Sequence, residues 1–550
     1  MQIHKKKMRL SAVLLTLALG AAACGGNGTD NEASSDDAPS GGTFSYTLTN
    51  PENPLVPGNT SESEGAQIID ALFTGLVTYD VDTSKVVMDG VAESIESEDN
   101  TLWTIKLKDG WTFHDGTPVD AESFVDAWNY TAFSPNAQGA SYFMANIEGY
   151  KELQAKVDDN DNVIAAPTAQ EMSGLKIVDD QTFTVKLTAP FRQYPVTVGY
   201  NAFYPLPDAF FTDPEAFGKK PIGNGPFKAD EEFRQDVGFT ITRFDEFAGE
   251  KAKADAVEIK IIPDVNTAYT EVQAGGLDIL DTIPPEVIET APDEFGDRYI
   301  ERESSTFTYM GFPTYDPRYD DKKVRQAFSM AIDREAITEA IFNGTRVPAM
   351  SAISPVVDGS RDDACEYCKY DPKAAKALLA ETDFDTSQPV DLWFNAGAGH
   401  DDWVTAVGNQ LRENLGITYQ LRGDQMFAEY LTTARGKQLT GPFRLGWSMD
   451  YPSPQNYLEP LYTEAALPPG SNTAFYVNPA FDAKVQEGNE ADSNKEAIEL
   501  YQEAEDILLE DMPIMPMFFG LLQAVHSEDV SNVKFDAFGR CDLASVTVNQ

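Results

Sequence analysis

The chain has 550 residues and carries 41 Lys and Arg against 89 Asp and Glu, a formal charge of −48. That balance excludes nucleic-acid binding as a main role, because such affinity comes from cations neutralising phosphates. With 42% hydrophobic, 11% aromatic and 24% charged residues the chain is globular rather than disordered, and at about 150 residues per unit it has room for three or four domains or lobes. So acidic a surface serves solubility, and its summed field also attracts cations.

The first 23 residues read as an address. Lys5, Lys6, Lys7 and Arg9 precede an uncharged apolar run, Leu10 to Ala23, that is shorter than the roughly 20 residues a membrane span needs. A basic start, a short apolar stretch and the small residues Ala21, Ala22 and Ala23 make a secretory signal peptide over 1–23. Cys24 follows directly and resembles the lipidated cysteine of bacterial lipoproteins. Residues 25–42, GGNGTDNEASSDDAPSGG, hold no apolar side chain larger than Ala or Pro. They form a flexible tether with a reach of roughly 20–25 Å by random-coil scaling. No later apolar run is long enough to span a bilayer. The expected location is the outer side of the cytoplasmic membrane, held by the N-terminal lipid.

From there strands and helices alternate. Thr101–Leu107, Thr182–Leu187, Gly238–Phe244 and Ala256–Ile262 have the two-residue alternation of half-buried strands. Asp120 opens a helix whose stripe contains Phe124, Val125 and Trp128. A long helix is expected over Lys322–Asn343, with Val324, Phe328, Ala331, Ile332, Ile337 and Ile341 on one face, aspartates at its start and Gly344 after its end. Asp371-Pro372 starts another helix, and Asn494–Glu510 a third. There is no fixed-period repeat, so solenoids and propellers are excluded and the class is α/β with more than one lobe.

The cysteines are Cys24, Cys365, Cys368 and Cys541. The Cys365-x-x-Cys368 pair lacks the second ligand pair a zinc site needs and the preceding strand a thioredoxin-like motif needs. A local disulfide is favoured, with pairing of either cysteine to Cys541 left open. The signatures GxSxG, HExxH and GxxxxGK[ST] are absent, and the chain has only four histidines. The weight therefore falls on binding rather than catalysis, with no cofactor and no metal expected.

Seven stretches, in order, carry a resemblance: ALFTGLVTYD (71–80), VAESIESEDNTLWTIKLKDGWTFHDGTPVDAESFVDAW (91–128), PIGNGPFK (221–228), GGLDI (275–279), YDDKKVRQAFSMAIDREAITEAIFNG (319–344), LGWSMDYPSPQNYLEPLY (445–462) and LYQEAEDILLEDMPIMPMFF (500–519). Together they resemble the family-5 solute-binding proteins of ABC importers, the oligopeptide- and dipeptide-binding group. The resemblance implies a periplasmic-binding-protein-like clamshell with mixed sheets flanked by helices and a two-strand hinge. Lobe I would comprise 43–72, 182–305 and 520–550, with an inserted domain, 73–181, packed on it; lobe II would be 306–519. The implied partners are a short peptide between the lobes and the permease and ATPase subunits of the importer, with the binding protein itself a monomer.

By the same resemblance Asp450, in Trp447-Ser448-Met449-Asp450-Tyr451, would hold the peptide's α-ammonium. A turn-capping role before Pro452 is the alternative. Arg444 and His400 would lie near the peptide's carboxylate end, Phe427 would wall a side-chain pocket, and Tyr309 and Tyr142 would be further contacts. Thr306 and Ser448 stand where the family prototype has a disulfide. Ala434, beside Arg435, stands where a second basic residue is expected, which leaves peptide length open. The same scaffold carrying an oligosaccharide, a nickel chelate, haem or an opine is one alternative, and a secreted peptide hydrolase or chaperone is another.

Overall fold

The computed structural model describes residues 41–549 except 61, 159–162 and 469. The signal segment, Cys24 and all but the last two tether residues lie outside the described residues. Among the described residues no helix is long and apolar enough to cross a membrane.

Local sequence sets most elements where the alternation places them. Leu102–Leu107, Thr182–Lys186, Gly238–Arg243 and Ala256–Ile261 are strands. In the first of these Trp103, Ile105 and Leu107 point inward while their neighbours are exposed. Asp120 accepts a hydrogen bond from the Ser123 amide at 3.0 Å and caps the helix Ala121–Ala132 through a reciprocal capping box. Asp371 accepts from the Ala374 amide at 2.8 Å and starts Pro372–Leu379.

The expected long helix is instead two, Lys322–Met330 and Arg334–Phe342. Asp333 supplies a second N-cap, accepting from the Ala336 amide at 3.0 Å. The apolar stripe continues across the break because Ala331, the C-cap of the first helix, and Ile332 after it remain fully buried.

Two large apolar cores organise the molecule. The first joins Phe44, Tyr46, Val257 and Ile259 of a mixed sheet to Trp103 and Phe183 of a separate four-stranded antiparallel sheet and to Phe124 and Trp128 of the helix on it. The helix Ala121–Ala132 lies on that smaller sheet: Phe124 and Trp128 contact Phe183 with ring centroids 5.9 and 5.5 Å apart. The second core runs from Phe307 to Phe519, with Ala537 added. The architecture is the α/β clamshell with two lobes and an extra domain.

One ladder runs through both lobes. Thr43–Leu48 pairs in parallel with Ala256–Ile261 on the first side, and Val390–Trp393 in parallel with Tyr419–Arg422 on the second. Between them two 13-residue strands, Tyr299–Gly311 and Ile514–His526, pair antiparallel from Tyr299 opposite Val525 to Gly311 opposite Ile514. They leave the first lobe at one end and enter the second at the other, which makes them the hinge. Their register slips midway: Glu303 faces Leu521 and Phe307 faces Phe519, so Ser304, Ser305 and Thr306 span the stretch that Gly520 alone spans opposite, and a second shift lies between Thr308 and Tyr309. A Cβ at 520 would lie 2.7 Å from Ser304 Oγ and 3.2 Å from Thr306 Cβ, so a side chain there would push its neighbours aside.

Cys365 and Cys368 are disulfide-bonded to each other, and Cys541 is a buried free thiol. Arg334, fully enclosed, donates to the carbonyls of Cys368 at 2.9 Å and Pro516 at 2.6 Å, tying the disulfide loop to a hinge strand.

Thr306 Oγ1 and Ser448 Oγ lie 3.4 Å apart on adjacent, exposed positions. Directly opposed antiparallel residues have Cα atoms roughly 4.5–5.5 Å apart, within disulfide reach. The double variant T306C/S448C is expected to close a cross-strand bond on mild oxidation. Thiol titration and peptide mapping would show both new thiols consumed; persistence of both as free thiols would refute the pairing.

Candidate functional site

The strand Phe443–Trp447 and the turn after it carry most of the candidate residues. Trp447 ends the strand, Asp450 and Tyr451 follow, and Ser453 caps the helix Pro454–Tyr462 by accepting from the Gln455 amide at 3.2 Å. The cap is Ser453, so the Asp450 carboxylate is not the group that starts this helix.

Asn456 orients the turn. Its Oδ1 accepts from Trp447 Nε1 at 3.1 Å and from the Asp450 amide at 2.9 Å. Both are obligate donors, so Asn456 Nδ2 must face the other way, and it donates to Asp450 Oδ2 at 3.1 Å. That neutral amide is the carboxylate's sole side-chain partner, and among the described residues no Lys, Arg or His forms an ion pair with it. Burial pushes the Asp450 pKa up to about 6, against the lowering effect of the Asn456 hydrogen bond. Asp450 is a partly buried acid without a cation.

A cavity of about 490 Å³ opens over it. Trp447, Asp450, Tyr451 and Asn456 form one side, and Tyr142, Phe143 and Tyr194, on the side of the first core, form the other. Tyr142 is 56% exposed and stacks on Phe143 with ring centroids 4.4 Å apart, and Phe143 packs on Tyr200 at 4.5 Å. Four of the sequence candidates, Tyr142, Trp447, Asp450 and Tyr451, therefore meet around one space.

Arg444 lies further back on the same strand. Its Nη1 donates to Asn395 Oδ1 at 3.2 Å, while Nε is buried with no hydrogen-bond partner. Burial lowers its pKa, and no carboxylate among the described residues pairs with it. His400 lies close enough to feel that charge. Burial, with Arg444 adding to it, brings its pKa down to about 4, so the ring is neutral at pH 7. Trp403 Nε1 donates to His400 Nδ1 at 3.2 Å, and His400 Nε2 is buried without a partner. Tyr309 is 3% exposed and packs on Phe307 and Tyr462 in the second core, where it is also within the field of Arg444. These three form a second, electropositive locus.

Phe427 is on the helix whose Tyr430 donates to the Arg444 carbonyl at 2.8 Å. It is the first residue of the helix Phe427–Arg435 and is 48% exposed.

Residues not singled out from sequence complete the site. Asn456, Gln455 and Glu459 sit on the helix after the turn, and Phe143 and Tyr200 support Tyr142. The polar trio reads as an ordinary solvated helix face; only the fold turns it toward a cavity.

Residues 86–467 match bacterial extracellular solute-binding proteins, family 5, middle portion. An oligopeptide-binding protein, OppA, of Bacillus subtilis (strain 168) is 26% identical over 549 residues, covering 96% of this chain and 97% of that protein. A dipeptide-binding protein of Escherichia coli (strain K12) is 26% identical over 509 residues, covering 87% of this chain and 89% of that protein. The solved unliganded open form of the periplasmic murein tripeptide binding protein MppA shares the fold with a TM-score of 0.80 at 23% identity, covering 94% of this chain and 99% of that one. With the family match spanning well over half of its length, the chain belongs to the family 5 bacterial extracellular solute-binding proteins.

Proposed function

We propose that this chain is the extracytoplasmic, lipid-anchored binding component of an ABC importer that captures short peptides between its lobes and hands them to the permease. The lobe boundaries expected from sequence, with 306–519 as the second lobe, belong to the same reading, as does lipidation of Cys24. The carrying observation is Asp450, a desolvated carboxylate facing a cavity with only a neutral amide as partner. An uncompensated buried anion is unfavourable until a cation arrives, and a peptide's α-ammonium supplies one in hydrogen-bonding geometry. Arg444, with an unpartnered buried Nε, offers the opposite charge for a terminal carboxylate. The named relatives that bind oligopeptides and dipeptides support the same cargo class.

Arg444 and Asp450 are six residues apart, so their backbones are separated by at most about 20 Å at roughly 3.3 Å per residue. A ligand meeting both is an extended peptide of about two to five residues. Closure would follow from the ligand's greater affinity for the closed state.

Asp450→Ala is expected to abolish binding of a free-amine tripeptide, and N-acetylation of the peptide should do the same to the wild type. Arg444→Met should lower affinity for the free acid at least tenfold while affecting the C-terminal amide much less. Isothermal titration checks both; indifference to N-acetylation would sink the ammonium assignment.

The pH dependence has a definite sign. Ligand binds the ionised Asp450, whose pKa in the free protein is about 6. Affinity should therefore fall as pH drops from 7 to 5, approaching tenfold per unit below 6, and Asp450→Asn should flatten that slope. For the unliganded fold the sign is opposite. The folded pKa exceeds the ordinary carboxylate value, so ionising Asp450 costs stability as pH rises from about 4 through 6. Asp450→Asn should stabilise the unliganded protein at pH 7.5 by on the order of 1–2 kcal/mol, seen as a higher Tm, and leave it unchanged near pH 4; calorimetry at the two pH values decides.

A further inference from the structure

The cavity over Asp450 holds a second acid that the α-ammonium does not need. Glu459 lines the same space, and of the residues lining it only Asp450 and Glu459 are charged. Both of its side-chain hydrogen bonds fall on one oxygen: Oε2 accepts from Gln455 Nε2 at 2.6 Å and from Asn489 Nδ2 at 2.9 Å. Each amide is held in that orientation from its far end. Tyr451 Oη donates to Gln455 Oε1 at 2.7 Å, and Tyr501 Oη donates to Asn489 Oδ1 at 2.6 Å. Glu459 is thus fixed by neutral donors alone, with no ion pair among the described residues.

Its position is also unfavourable for the fold. Glu459 lies toward the C-terminal end of the helix Pro454–Tyr462, where the carbonyl dipoles oppose a negative charge. A glutamine would make the same kind of contacts there without that cost. The facing wall is aromatic, with Tyr142 exposed toward the cavity and backed by Phe143. An apolar wall beside a lone carboxylate suits a long side chain with an aliphatic stem and a positive head.

We propose that Glu459 is the counter-charge for a cationic side chain on the ligand's first residue, so that the protein favours peptides beginning with lysine or arginine. The inference rests on the peptide reading above: Asp450 takes the α-ammonium and Glu459 the side-chain cation of the same residue. Two positive groups then neutralise two carboxylates in one desolvated space.

Titration calorimetry at 0.15 M salt with Lys-Ala-Ala, its norleucine analogue Nle-Ala-Ala and N-acetyl-Lys-Ala-Ala tests this. Wild type is expected to prefer Lys-Ala-Ala over Nle-Ala-Ala by about tenfold or more, with the ratio shrinking as salt rises. Glu459→Gln keeps an amide-accepting oxygen and removes the charge; it should bring the ratio to within about threefold, chiefly by weakening Lys-Ala-Ala. Equal wild-type affinities, or a Glu459→Gln variant that weakens both peptides alike, would overturn the inference while leaving the peptide reading intact. If no tripeptide binds, or N-acetylation makes no difference, the ammonium assignment itself falls and takes this one with it.

Discussion

An anion taken partly out of water without a cation is the constraint around which the site is arranged. Asp450 has Asn456 for company and, among the described residues, no positive side chain in an ion pair with it, unlike the buried Glu505, which pairs with Arg361. Such a group costs free energy in the empty protein and repays it only on meeting a positive ligand. The Trp447–Asn456–Asp450 hydrogen bonds fix the carboxylate before that meeting, so little ordering is left for the binding step.

The two halves of the cavity come from parts of the chain joined only through the hinge and a few polar contacts. Tyr142 belongs to the first core's side and Asp450 to the second's. Close by, the Asn100 side-chain amide donates to the Ala491 carbonyl at 2.9 Å and the Arg192 amide to the Asn489 carbonyl at 2.7 Å. Asn489 also touches Glu459, and Gln455 links Glu459 to Tyr451. The interlobe contacts and the cavity wall therefore share one hydrogen-bonded network, which is how a bound group can bias the relative position of two large cores.

Much of this was legible before any coordinates. Alternation located the strands, and caps such as Asp120 and Asp371 located helix starts, because those signals are local. The break at Asp333 was missed because burial of Ala331 and Ile332 preserves the apolar period through it. The hinge ladder was visible only through resemblance: Tyr299 and Val525 are far apart in sequence, and no periodicity encodes their pairing. Within the site, Asp450 stood out through a motif, whereas Asn456 and Glu459 read as unremarkable helix polar residues. Phe427 stands at the exposed start of a helix whose Tyr430, one turn on, donates to the Arg444 carbonyl at 2.8 Å.

The crowding of Ser304, Ser305 and Thr306 against Gly520 gives the connecting ribbon local slack. A second register shift follows between Thr308 and Tyr309, so the regular pairing is interrupted twice along the middle of the ribbon. Both irregular steps lie outside the lining of the charged cavity, so cargo preference and swing amplitude can drift independently over evolutionary time. Replacing pocket side chains would retune what is carried without disturbing the joint.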